Sequence, residues 1–531
     1  MNANKQGGLL NAVIGGILLW GAWPTSPLTI LIFIAWVPLL YTAESAGSWA
    51  RFFGYTYITT LLWNVLVTWW VAKASVPGGI GAFAANSLLM CVPWLAYYFT
   101  RKQFNAFVSG LALIAYWLTF EFIHMNWDLS WPWLSLGNVF AMHPNWVQWY
   151  EYTGTAGGSL WVLLSNILVF NVLLRYREEG RSTGYFKLAA AWVLTLCVPI
   201  LLSAFTKQNL TLQHNKYNVV VVQPDYDPWD DKFVAGKEEE HLHKLIRLSQ
   251  QNIDANTAVV IWPETAVPYT VREDQLHENR FLVPLWAFLK NNPHINLLTG
   301  LEGYRLYPVR PSRFATKLPD GSFAESYNSA ALFDSNSVQI YHKSKLVPGP
   351  EVLPGFISFL APLFEKFGGT MGGYTKDSTE KVLQTSNNTF SIAPAICYES
   401  IYGDHLSRFN RKGTNLIAVI TNDGWWGNTQ GYRQHMQYAR LRAIESRKWV
   451  ARSANTGISC FIDPYGNITR QLPWNRQGVL KQTVAAFVTE TFYTKHGDWI
   501  SKIAAVIAVL FLLFLVYRIF AKKTSSPLKS P

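Results

Sequence analysis

Apolar and polar positions divide the 531-residue chain into two kinds of segment. No charged residue occurs from Gln6 to Ala43. Further uncharged runs extend over Phe52 to Ala72, Ala74 to Thr100, Gln103 to Phe120, Tyr152 to Leu174, Leu188 to Thr206 and Ile503 to Tyr517. A helix crosses a bilayer with about 20 mostly apolar residues, so most of these runs suffice, and the last can extend through Trp499 with Lys502 snorkelling. The first run has room for two helices, broken at Pro24 and Pro27. The pattern predicts about eight spans, roughly seven of them before residue 206 and one near the end.

Between these regions the period changes. Runs such as YNVVVVQP, AVVIWPE, INLLTGL, SAALFD, VQIYHK, FSIAPAICYE, NLIAVITND and ISCFIDP read as strands, several separated by helical stretches. One helix is expected from about Gly236 to Asn252, with Leu242, Leu245, Ile246 and Leu248 on its apolar face. A second is expected from about Arg433 to Lys448, grouping Met436, Ala439, Leu441 and Ile444. Near-continuous apolar strands point to an α/β sheet covered on both faces. The expected organisation is a multi-span α-helical membrane domain over residues 1–206, an α/β domain over 207–495, a C-terminal transmembrane helix over 496–520 and a tail over 521–531.

Charge orients this arrangement. Lys5, Arg51, Arg101, Lys102, Arg175, Arg177, Arg181, Lys187, Arg518, Lys522 and Lys523 fall on one side of the spans. The other side has Lys73 and a segment from His124 to Tyr150 without Lys or Arg. The positive-inside rule places both termini in the cytoplasm and the 207–495 segment on the outer face. A cleaved signal peptide is the alternative for the N-terminal run, but no clear cleavage site follows Trp23. The net charge of +12 lies largely in the loops and tail that meet anionic headgroups, and no zinc spacing or RNA-binding motif accompanies it, so nucleic acid is not an expected partner. Trp127, Trp131, Trp133, Trp146 and Trp149 read as an interfacial aromatic belt. His241 and His243 read as solvated residues of a charged helix rather than metal ligands.

Candidate chemistry gathers at the ends of strand-like runs. Cys397 in ICYE is a potential nucleophile, Glu264 in IWPETAVP a potential base and Lys343 in IYHKSKLVPGPE a potential oxyanion partner. Taken singly, each has a plain structural reading: core thiol, strand-end acid, exposed cation. The four cysteines form no disulfide framework. Cys91 and Cys197 read as small apolar residues of spans and Cys460 as core; a Cys397 to Cys460 bridge stays open and would disable the nucleophile.

Together, WPET (262–265), YHKSKLVPGPE (341–351), CYES (397–400), TNDGWWG (421–427) and RAIESRKWVARSANTG (442–457) resemble the nitrilase, or carbon-nitrogen hydrolase, superfamily. With the N-terminal spans, the C-terminal span and SWPWLSLGN (130–138) followed by EYTGTAGGSLW, the chain is similar to the apolipoprotein N-acyltransferase family throughout. That resemblance implies an αββα sandwich on the periplasmic side of a bacterial inner membrane, with no metal or organic cofactor. It also implies acyl transfer from a phospholipid, typically phosphatidylethanolamine, through a thioester to the α-amino group of a diacylglyceryl-modified cysteine on an apolipoprotein. It assigns Cys397 as nucleophile, Glu264 as base and Lys343 as oxyanion stabiliser. Glu351 and Glu399 become supporting residues, and Trp229 and Tyr398 substrate contacts. The chain departs from the family pattern at Lys345, where many members have His, and at Gly349-Pro350 before Glu351. The apolar segment GFISFLAPLFEKFGGTMGGY, with Phe356, Phe359, Leu360 and Phe364, is expected to be a mobile lid. The competing functions are a membrane-anchored amidase acting on a small amide or nitrile, and a non-catalytic lipid carrier. The first leaves most of the spans without a purpose, and the second leaves the Glu, Lys and Cys set without one.

Overall fold

The computed structural model describes residues 2–208, 215–228, 230–232, 234–353, 355, 373–377 and 379–524, so Trp229 and the expected lid residues lie outside the described set. The chain divides into two compact units. One comprises Met1–Trp69, Ile80–Thr206 and Asp498–Pro531, the other Trp70–Gly79 and Lys207–Gly497.

The first unit is helical, as an integral membrane protein requires. Among the described residues, five helices are long and apolar enough to cross a membrane: Val76–Arg101, Ala106–Met125, Tyr150–Glu179, Thr183–Thr206 and Trp499–Arg518. The run after Phe52 forms the helix Trp49–Thr68, in which Thr56, Thr59, Thr60, Asn64 and Thr68 are buried. Asn64 Oδ1 accepts from Asn86 Nδ2 at 2.7 Å, an interhelical bond of the kind that joins helices where water is absent. The second half of the first run is not one long helix. It makes a 3-10 turn, Thr29–Phe33, and a short helix, Val37–Ser45. Side chains of the Tyr150–Glu179 helix satisfy the backbone groups exposed at this break. Asn166 Oδ1 accepts from Trp36 N–H at 2.8 Å, Asn166 Nδ2 donates to the Ile32 carbonyl at 2.8 Å, and Ser165 Oγ donates to that of Phe33 at 3.1 Å. Irregular backbone is tolerated at membrane depth only when protein groups satisfy it in this way. Two further readings change: Trp133 is buried rather than part of a belt, and Cys197 is exposed on its helix.

Among the described residues, the second unit has fourteen strands. They are β1 (Lys216–Gln223), β2 (Thr257–Ile261), β3 (Thr270–Arg272), β4 (Asn296–Tyr307), β5 (Thr316–Lys317), β6 (Phe323–Phe333) and β7 (Val338–His342). After them come β8 (Leu383–Gln384), β9 (Ser391–Ile396), β10 (Leu416–Thr421), β11 (Trp449–Ala454), β12 (Ser459–Ile462), β13 (Ile468–Leu472) and β14 (Gly478–Ala485). The first sheet has the order β14-β1-β2-β4-β6-β5, with β3 on β4 and β7 on β6; the second has the order β13-β12-β11-β10-β9-β8. Pairing is parallel in β1-β2-β4, in β9-β10-β11 and between β3 and β4, and antiparallel elsewhere in the two sheets.

Val219, Val221, Val259, Ile261 and Leu298 of the first sheet share one core with Ile392, Ala418, Ile420 and Val450 of the second. The opposite face of the first sheet, including Val220, Val260 and Leu297, is covered by the helices Glu238–Gln250 and Val283–Asn291. Helices Gly403–Asn410 and Gln430–Ser446 contribute Leu406, Phe409, Met436 and Ala443 to packing on the second sheet, completing an αββα sandwich. The expected helices therefore form, shifted by two or three residues at their ends. His241 corrects the solvated reading: it is buried, with its ring 4.1 Å from that of Tyr226. Cys397 and Cys460 are both free, which closes the disulfide alternative.

Asn166→Leu would leave the Trp36 and Ile32 backbone groups unpaired and is expected to cost on the order of 2 kcal/mol or more. Thermal unfolding in detergent should show a larger fall than for Asn171→Leu, since the Asn171 amide donates within its own helix, to Ile167.

Candidate active site

The site residues follow the ends of strands, where side chains leave the ladder and converge. Glu264 follows β2, Lys343 follows β7 and Cys397 follows β9. Two of these turns are strained, with Thr265 at φ +45° and Cys397 at φ +52°, a region costing roughly 1–3 kcal/mol for residues that carry a Cβ. The WPET turn lies so close to β4 that a Cβ on Gly300 would come within 2.6 Å of Glu264 Cα.

Lys343, 1% exposed, places Nζ 3.1 Å from Glu264 Oε1 and 2.7 Å from Glu351 Oε1. Asn328 on β6 donates through Nδ2 to the same two oxygens, at 2.9 and 3.3 Å. The second oxygen of Glu264 accepts from Asn422 N–H at 3.0 Å, and that of Glu351 from Val347 N–H at 2.7 Å. A turn at Gly349 returns the chain to bring Glu351 here. Gly349 has φ +96°, a conformation that favours glycine, and its N–H donates to the Val352 carbonyl.

Burial pushes Glu264 upward, but the charge of Lys343 and the hydrogen bonds from Asn328 and Lys343 outweigh it and hold the carboxyl below its ordinary range. Glu351 is raised by burial and by the neighbouring Glu264 charge, against Lys343. The Cys397 thiol is also raised: burial and Glu264 push it up more than Lys343 pulls it down. At rest the arrangement therefore pairs an ionised Glu264 with a neutral thiol.

Glu399 has a different place from Glu351. Its Oε2 accepts from Ile396 N–H at 2.9 Å, and its Oε1 accepts from Tyr341 Oη at 2.6 Å, Ser344 N–H at 2.7 Å and Lys345 N–H at 3.2 Å. It straps the Lys343 loop to the strand that ends at Cys397. Tyr398 is buried and packs edge-on to Tyr402. Lys345, the departure from the family pattern, sets its ammonium over the Tyr402 ring, 5.1 Å from the centroid.

Behind Cys397, Arg452 Nη2 donates to Asp423 Oδ2 at 2.6 Å and His435 Nδ1 lies 2.9 Å from Asp423 Oδ1. His435 Nε2 is 3.0 Å from the Cys397 carbonyl and 2.9 Å from Ser400 Oγ. Ser400 Oγ donates to the same carbonyl at 2.7 Å, and together these bonds hold the strained peptide. Asn328, His435 and Arg452 were not singled out from sequence. Arg452, a charge in the middle of an apolar strand, carried the one available signal.

A carboxylate and an ammonium buried beside a thiol, on strand ends of an αββα sandwich, define the carbon-nitrogen hydrolase class, and the Carbon-nitrogen hydrolase family model matches residues 218–493. The Apolipoprotein N-acyltransferase N-terminal domain model matches residues 15–168. The chain is 33% identical over 511 residues to the apolipoprotein N-acyltransferase of Chlorobaculum tepidum, covering 92% of this chain and 93% of that one. It is 25% identical over 503 residues to that of Geobacter metallireducens, covering 92% and 91%. Among solved structures it resembles Saccharomyces cerevisiae Nit3, a member of branch 10 of the nitrilase superfamily, at 14% identity and a TM-score of 0.37, covering 54% of this chain and 95% of that one. The chain belongs to the apolipoprotein N-acyltransferase family and is an acyltransferase.

Burial raises the Glu399 carboxyl, but the hydrogen bond and charge of His405, with the bonds from Tyr341 and Ile396, bring it from 4.5 down to about 2. A carboxyl depressed in the folded state stabilises the fold at pH above its unfolded value and loses that contribution as pH falls through about 2. Glu399→Gln should therefore flatten the acid limb of stability, removing on the order of 2 kcal/mol of pH dependence between pH 6 and pH 3, as read from unfolding midpoints.

Proposed function

We propose that this chain moves an acyl chain from a glycerophospholipid, phosphatidylethanolamine being the expected donor, to the α-amino group of the N-terminal S-diacylglyceryl-cysteine of apolipoproteins. The observation that carries the reading is the buried Lys343 ammonium shared by Glu264 and Glu351, in whose electrostatic reach Cys397 lies. The five long apolar helices suit a donor drawn from a bilayer.

In the first half, Sγ of Cys397 attacks the ester carbonyl while Glu264 takes the thiol proton, so the thiolate need not exist beforehand. Charge moves onto the ester oxygen, toward which Lys343 offers its ammonium. The C–O bond then breaks, and the departing lysophospholipid oxygen recovers the proton from Glu264. In the second half the neutral amine attacks the thioester and yields a proton to Glu264. The C–N bond forms, the C–S bond breaks, and Cys397 regains its proton. Glu351 keeps Lys343 in place, and Glu399 keeps the Lys343 loop against the nucleophile strand. Trp229 and Tyr398 are assigned to substrate contact. The sheet unit is assigned to the periplasmic side and both termini to the cytoplasm, on the distribution of Lys and Arg.

Intact mass spectrometry after incubation with phosphatidylethanolamine is expected to show a gain of one acyl chain. The gain should be absent from Cys397→Ala and discharged by a diacylglyceryl-cysteine peptide. Glu264→Gln and Lys343→Met should each slow adduct formation by about 100-fold or more. No adduct, together with Cys397-dependent hydrolysis of small amides, would assign an amidase instead.

A further inference from the structure

The site holds a second lysine. Lys232 is 7% exposed, in a segment anchored by Asn455, whose Nδ2 donates to the Tyr226 carbonyl at 2.8 Å. Lys232 N–H donates to the Asp227 carbonyl at 2.8 Å, closing a turn that aims the side chain inward. Its Nζ donates to the Glu264 carbonyl at 2.9 Å and to Thr265 Oγ1 at 2.7 Å. These oxygens belong to the turn that carries the Glu264 carboxylate, in which Thr265 has positive φ.

We propose that Lys232 is a second cation of the active site, a positioning residue that clamps the Glu264–Thr265 turn and offsets the negative charge passed from Glu264 to Cys397. The proposal rests on Cys397 being the nucleophile. Where both carboxylates are ionised, Glu264, Glu351 and Lys343 carry one net negative charge at a buried site. When the proton of Cys397 moves to Glu264, that charge moves to sulfur and then to the acyl oxygen; it is not removed. Lys343 already bonds two carboxylates. Lys232 donates to two oxygens of the same turn, and its charge favours the ionised forms of Glu264 and Cys397.

The electrostatic surroundings agree. Burial lowers Lys232 to about 8, against the opposing fields of Glu264, Cys397 and Glu302. The charged and titratable groups facing it are thus Glu264 after β2, Glu302 on β4 and Cys397 after β9, and each favours its protonated form. Glu302 is itself raised by burial, against a hydrogen bond from Tyr374 and the charge of Lys232. Lys232 is accordingly a buried ammonium held charged by the site it serves. A change that keeps a donor but removes the charge should separate the clamp from the field.

The test uses the full-length protein in detergent and reads the rate of Cys397 alkylation by iodoacetamide from pH 5.5 to 9, a property of the thiol that needs no substrate. Lys232→Gln keeps an N–H donor for the Glu264 carbonyl and removes the charge. It should slow alkylation at pH 7 about tenfold and move the profile up by about one pH unit. Lys232→Arg should stay within about threefold of the parent. In acyl transfer, Lys232→Gln should lower kcat with KM unchanged. A Lys232→Gln profile that superposes on the parent's would overturn the proposal, as would an equal loss in Lys232→Arg. An acyl adduct persisting in Cys397→Ala would instead overturn the acyl-transfer reading, and this proposal with it.

Discussion

One ammonium group, held by two carboxylates where water does not reach, sets the terms for the active site. An ion taken out of water is costly unless fully paired, and removing one partner of a buried pair leaves an uncompensated charge. Lys343 therefore requires Glu264 and Glu351 together, and this requirement reaches far into the chain. Glu264 depends on β4 passing close enough that Gly300 cannot carry a side chain, and Glu351 depends on the turn that Gly349 makes. Glu399 spends its hydrogen-bonding capacity on the backbone just after Lys343 and just before Cys397. Two strands from different sheets are thereby held in register at the one point where chemistry needs them.

Much of this was legible in the order of residues. Strands with β-branched cores announced the sheets, and the apolar faces of the helices near Leu242 and Met436 announced the layers that cover them. Glu264, Lys343 and Cys397 stood out because each ends a strand-like run inside a recognisable motif. Asn328 gave no such signal: an amide in ESYNSA looks like any strand residue until the fold sets it between two carboxylates. His435 and Lys232 were hidden similarly, since each works through contacts more than thirty residues away in sequence. His241 misled because its neighbours in sequence are charged, while its neighbour in space is the ring of Tyr226.

The apolar unit shows a second limit of pattern reading. An uncharged run of sufficient length was taken for a span, but length counts only if the backbone stays helical. At Ile32 to Trp36 it does not, because Asn166 and Ser165 supply the hydrogen bonds that a helix would have made for itself. The information for the break thus resides some 130 residues away from it. A window that slides along one run cannot find such a partner.

The raised thiol of Cys397 has a consequence for durability. Oxidants, like electrophiles, react with thiolate far faster than with thiol, and a buried cysteine kept neutral is chemically inert. Burial and the adjacent Glu264 charge keep the sulfur in that inert form between turnovers. Under the proposed mechanism, reactivity is confined to the moment when an acyl donor occupies the site and the proton can pass to Glu264. An enzyme exposed to an oxidising compartment could keep a single free nucleophilic cysteine reduced in this manner, without a resolving partner to repair it.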